Sequence, residues 1–213
     1  MEDITEDERI WMMQTREAYR GTGIGVIFMA FFGTLWAGIG VMGLQEWGFP
    51  YVELAAILVG LMLLIGGISL LHAAHEMPQQ ITGNLKRIRF WFNIVFIAEG
   101  LLIGAAIAIC NAANQTELIP GVIAIIVGIH FLPLASLFQI KLYYFTGVIL
   151  CFLALMTLLV APSTIMLGDH EITAKLSLLG FGCALTLWTT GLTLWLRVKN
   201  AKRAVVHSKD HPS

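Results

Sequence analysis

The chain has 213 residues, 57% of them hydrophobic and only 13% charged, with a formal net charge of −1. Soluble domains average about 25% charged residues, so this balance points to lipid, and with the charge confined to ends and connections no separate soluble domain is expected. Near-neutral charge without a basic patch interleaved with aromatics excludes nucleic acid as a partner.

Residues 1–20 open on a dense acidic run and hold no apolar core, so no cleavable signal peptide is expected and the first span directs insertion. Ile4, Trp11, Met12, Thr15 and Tyr19 recur at helical spacing. That pattern fits either an interfacial helix or a solvated tail that is helical only near the membrane. The first span is read over 22–43 and is rich in small residues, among them Gly25, Ala30, Gly33 and Gly40, which permit close helix approach. Trp47, Gly48 and Pro50 mark a turn, and the second span, 52–75, ends in His72-Ala-Ala-His75-Glu76. A basic connection with Lys86, Arg87 and Arg89 leads to a third span over 90–111. Asn111, Asn114 and Gln115 close the turn before a fourth span, 118–138, and the short link Gln139-Ile140-Lys141 precedes a fifth, 142–161. Residues 162–171 read as a polar loop, 174–196 as the sixth span, and 197–213 as a basic tail. Cys110, Cys151 and Cys183 all fall in apolar runs without paired spacing, and read as small packing residues.

With a cytoplasmic amino terminus, 12 of the 13 Lys and Arg lie on the inner side and only Lys175 lies outside. By the positive-inside rule this predicts an all-α, polytopic protein of six transmembrane helices with both termini cytoplasmic. A faint repeat accompanies it: a shift of 68 residues lays Val26–Ala30 on Ile94–Ala98 and Ile57–Gly60 on Ile125–Gly128. Three helical hairpins related by duplication would be parallel repeats about an axis along the membrane normal.

Glu99 is the one carboxylate in the middle of a span, and His130 sits in the middle of the next. Counted from the Arg89 end and the Phe138–Gln139 end, both lie about 12–15 Å below the same membrane face at 1.5 Å of rise per residue. A charge at that depth costs at least a few kcal/mol, so it must be paired, hydrated or protonated. The functional reading is a site for a proton, a cation or the cationic end of a solute. The bland reading is a neutral Glu and a core His, each hydrogen-bonded to a neighbouring helix. Pro133 lies three residues past His130 and removes a backbone hydrogen bond to Ile129, which predicts a kink beside the imidazole. Gly100 and Gly104 form a small-residue stripe where another backbone could approach.

His72 and His75 share a helix face at i, i+3, a spacing that a divalent metal can use, with Glu99 as a conceivable third ligand. Two ligands at a wet rim fall short of the three or four that zinc requires, so no cofactor is otherwise expected. Thr186, Thr189, Thr190 and Thr193 in the sixth span are expected to bond the preceding turn or stitch helices, with pore lining the lesser reading. No nucleophilic triad, nucleotide loop or haem pair is visible, so no catalytic residue is assigned.

The run Val127-Gly-Ile-His-Phe-Leu-Pro-Leu-Ala135, with Asn93–Gly100 and Leu142–Gly147, resembles a signature of uncharacterised bacterial six-helix membrane proteins. The resemblance implies an inner-membrane location and carries over no activity. Leu61–Gly67 and the hairpin repeat are more weakly similar to the acid-resistance HdeD family. Three functions follow as expectations: a small transporter or channel-like protein with a titratable Glu99–His130 site; a non-transporting stress-response or partner-binding subunit; and an intramembrane metalloenzyme using His72, His75, Glu99 and His130. A homo-oligomer in the bilayer is expected, because six such spans enclose only a narrow centre.

Overall fold

A computed structural model describes residues 6–76, 84–168 and 170–209. Six helices make up the fold: α1 (Glu6–Gly43), α2 (Tyr51–His75), α3 (Asn84–Ala112), α4 (Ile119–Phe138), α5 (Lys141–Leu159) and α6 (Ala174–Lys209). Each contains a stretch long and apolar enough to cross a membrane. Large apolar side chains such as Phe31, Leu58, Leu101, Phe145 and Leu159 stand exposed on the outside of the bundle, a surface that suits acyl chains rather than water. The 1–5 segment, the 77–83 part of the basic connection and the last four residues of the tail lie outside the described residues.

Three departures from the sequence reading have local causes. The segment before the first span is not a separate element: α1 runs unbroken from Glu6, because no proline interrupts the register between the acidic start and the apolar run. The 162–171 loop folds part of its length into an antiparallel hairpin of β1 (Ile165–Leu167) and β2 (His170–Ile172), with Leu167 opposite His170 and Gly168 at φ +64° in the turn. Only glycine enters that region freely, which is why Gly168 can reverse the chain there. The hairpin sits against the end of α1: Thr173 donates its N–H to the Gly43 carbonyl at 2.8 Å, and Ile172 is buried. Finally, the packing does not follow three equivalent hairpins. α4 packs more extensively on α5 than on α3, and α1 packs on both α2 and α6.

Glycines set these contacts. A Cβ on Gly23 would meet the Gly67 carbonyl at 3.0 Å and one on Gly67 would meet that of Gly23, so α1 and α2 touch backbone to backbone. Gly128 and Gly147 do the same for α4 and α5, and for α1 and α6 a Cβ on Gly180 would strike the Gly40 backbone while one on Gly40 would meet the Phe181 ring. Close approach of this kind lets helices with apolar outer faces hold together by van der Waals contact. Arg16 Nε donates to the Ala74 carbonyl at 3.0 Å, satisfying an end carbonyl of α2 where a positive charge is favoured.

The turns joining α3 to α4 and α4 to α5 are closed by the same device. Asn114 and Gln139 adopt left-handed φ values of 54° and 56°, and the residue after each donates back to Cys110 and Ala135.

Threonines of α6 bond as expected from the sequence. Thr186, Thr190 and Thr193 each donate to the carbonyl four residues back. Thr190 also meets Thr146 of α5 at 2.8 Å in a buried hydroxyl pair. Replacing Thr146 by Val should cost about 0.5–1.5 kcal/mol, because Thr190 keeps its carbonyl acceptor and loses only its cross-helix partner. Reversible unfolding of the purified protein in mixed micelles would measure it.

Candidate functional site

α3 is the outlying helix. None of its most apolar stretch is buried, whereas a third or more of that stretch is buried in each of the other five. Among the described residues its inward stripe is Phe92, Val95, Glu99, Ile103, Ala106 and Cys110, at spacings of three and four. That stripe lies against α4, and Glu99 is in its middle. An apolar helix that half-buries one flank has thus placed its lone acid on that flank.

α4 presents the base. Pro120 in its first turn fits the start of a helix, where a missing N–H costs nothing. Gly121, Ala124, Gly128, Phe131 and Ala135 are its buried face. His130 borders that face and turns toward α3, where its Nδ1 stands 3.4 Å from Glu99 Oε2. The side chains are 9% and 13% exposed, respectively, so the pair is almost wholly withdrawn from the surface. Matching depth, counted from the sequence, is realised as contact.

The pair lines a cavity of about 90 Å³ between α1, α3 and α4, which Tyr143 of α5 and Leu187 of α6 help to close. It is bounded by the first half of the apolar span of α1 (Tyr19–Gly43), by residues 92–99 of α3 and by the second half of α4, so it lies toward the end of the bundle where the span of α1 begins and α4 ends. Most of its wall is aromatic. Phe28 of α1 meets Phe92 and Phe96 of α3 edge to face, with ring centroids 6.5 and 5.8 Å apart. Phe92 contacts Phe138 at 5.9 Å, and Phe131 contacts Tyr143 at 5.6 Å. Phe96 and Phe131 both lie edge-on to the His130 ring. The belt of rings is therefore continuous and ends at the acid–base pair.

The sequence carried a signal for this belt that residue-type searching passes over. Phe28 and Phe32 are four apart, as are Phe92 and Phe96, and Phe131 and Phe138 are seven apart. Each spacing returns to one helix face, and the last two pairs flank Glu99 and His130 within two turns.

The remaining candidates fall elsewhere. Pro133 sits inside α4, which continues as helix to Phe138. A Cβ on Gly100 or Gly104 would find nothing within 4 Å, so among the described residues no helix approaches that stripe. His72 and His75 are exposed near the end of α2. Among the described residues no three His, Cys, Asp or Glu side chains gather as a metal site would require, so Glu99 does not join the two histidines as a third ligand.

A family model described as a family of unknown function (DUF7010) matches residues 14–193. No curated protein and no solved structure matches the chain.

Proposed function

We propose, for a chain that belongs to the DUF7010 family, whose function is unknown, a small transporter or channel-like protein that works through the Glu99–His130 pair. The observation that carries this reading is a carboxylate and an imidazole 3.4 Å apart, nearly buried, on the wall of a cavity between helices. Ionisable groups at such depth mark ion and substrate pathways more often than structural joints, because the same helix contact can be made by apolar residues at lower cost. The protein spans a cell inner membrane of bacterial type with both termini in the cytoplasm. The Lys and Arg distribution supports this orientation, with 12 of 13 on the side of the bundle where the chain begins and ends. The site then lies in the cytoplasmic half. Protonation switches the pair between an ionised and a neutral form, and the helices respond to that change.

The test is proton flux in proteoliposomes loaded with a pH-sensitive dye. The wild-type chain should dissipate an imposed gradient faster than empty vesicles, and Glu99→Gln and His130→Ala should each slow it at least tenfold. Flux unchanged in both variants would remove the reading.

A second reading has one observation in its favour. The outer face of α3 is exposed, with open space at Gly100 and Gly104, as on a subunit that docks a second copy or another membrane protein there. A stable partner copurifying with the chain, with no flux in vesicles, would decide for a non-transporting factor.

A further inference from the structure

Resting on the transport reading of this same site, we infer that the cavity takes the head of a small quaternary ammonium cation, with Glu99 as its counter-charge and the phenylalanine belt as its walls. The first ground is the chemistry of the lining. Among the described residues, Glu99, His130 and Tyr143 are the only side chains on the cavity wall that ionise, and those of α1 and α6 contribute none. Six of the other lining residues are phenylalanines: Phe28, Phe32, Phe92, Phe96, Phe131 and Phe138.

Aromatic faces attract a cation through their quadrupoles, and most strongly when water is excluded. A carboxylate at one end of such a box fixes the sign of the guest.

The second ground is what the lining denies to other cations. Calcium and magnesium demand six or more oxygen ligands, and here one carboxylate and one phenol hydroxyl are the oxygen-bearing side chains on the wall. A primary ammonium or guanidinium brings three to five N–H donors, of which the apolar walls would leave most unsatisfied. A methylated ammonium brings no N–H at all and carries its charge on methyl groups that pack against rings.

Size limits the guest. A cavity of 150 Å³ holds the six carbons of benzene, so about 90 Å³ scales to roughly three or four non-hydrogen atoms, and the five of a tetramethylammonium ion fit only with a methyl group in the opening between α1 and α3.

The third ground is access. α1 and α3 meet across the cavity mainly through the contacts of Phe28 with Phe92 and Phe96. Ile24 and Phe28 are exposed at that seam. A substituent longer than methyl can leave sideways between the two helices without displacing backbone.

Trimethylammonium groups occur on free solutes and on choline lipids, and the experiment separates the two. Titration calorimetry of the full chain in a non-ionic, lipid-free detergent, with tetramethylammonium chloride as probe and sodium chloride as control, should give saturable heat for tetramethylammonium alone. Glu99→Gln should abolish it. Phe96→Ala should weaken it at least tenfold, and Phe96→Tyr should restore it to within a few-fold. Repeated in nanodiscs, binding that survives in phosphatidylglycerol and vanishes in phosphatidylcholine assigns the head to a lipid; survival in both assigns it to a free solute. No saturable heat from wild-type protein with intact helical circular dichroism, or heat unaffected by Glu99→Gln, overturns the inference. Its failure is separable from that of the transport reading: flux without tetramethylammonium binding removes only the cage, and binding without flux removes only transport.

Discussion

A His130→Leu variant is expected to unfold more readily than the wild-type chain by about 3–5 kcal/mol, and a Glu99→Leu/His130→Leu double variant to regain most of that loss. The asymmetry follows from burial. Glu99 is 13% exposed and has the imidazole 3.4 Å away. Remove the imidazole, and the carboxylate must either stay charged without a partner or take up a proton in surroundings of phenylalanine; both cost free energy. Replace both, and α3 still lays Phe92, Val95, Ile103 and Ala106 on α4 with a leucine at the centre of the stripe. Denaturant titration of the purified chain in mixed micelles measures all three proteins. A double variant no more stable than His130→Leu would show that the pair is not energetically coupled. Stability and transport are expected to diverge here, since the double variant that restores the fold should leave flux at the level of empty vesicles.

Gly180→Ala is expected to be the most damaging single methyl in the protein, while Gly100→Ala and Gly104→Ala should be neutral or slightly stabilising. At Gly180 the added carbon would strike the backbone N and Cα of Gly40 and the carbonyl of Trp36, none of which can rotate away. α1 and α6, which share the most extensive interface in the bundle, would have to move apart along their length. Overpacking against movable side chains costs about 1–3 kcal/mol, and against fixed backbone the cost should reach or exceed the upper end. At Gly100 and Gly104 nothing lies within 4 Å, so the substitution acts only through helix propensity, which favours alanine by up to about 1 kcal/mol. Thermal unfolding of the three variants side by side tests the contrast. Equal losses at Gly100 and Gly180 would contradict the packing.

Much of this architecture was legible before any coordinates. Uninterrupted apolar runs bounded by Trp47 and Pro50, by Asn114 and by Gln139 leave little choice of helix boundaries, because a backbone in lipid must satisfy its hydrogen bonds within the helix. The meeting of Glu99 and His130 was legible only as far as their depth: the sequence left open how each helix turns about its axis, and the structure brings the two side chains to 3.4 Å. Three things were not. Spacing puts each phenylalanine pair on one helix face, but in an apolar helix such a face looks like any lipid-facing bulk, and that the pairs join in one belt emerges only when four helices are brought together. The Gly100–Gly104 spacing is the same whether it meets a neighbour or faces outward; only the packing of α3 on α4 turns it out. Glycine-mediated contact of α1 with α6 joins residues far apart in the chain, and no local pattern announces that pairing.

α3 is moored along a single flank, while the other helices are stitched to one another backbone to backbone. In any bundle the element with the fewest buried contacts is the one that detaches at least cost. Since Glu99 rides on that flank and His130 on the body it leans against, a tilt of this one helix parts acid from base and opens the aromatic box in the same movement. Shape and charge are therefore not two variables in this molecule but one.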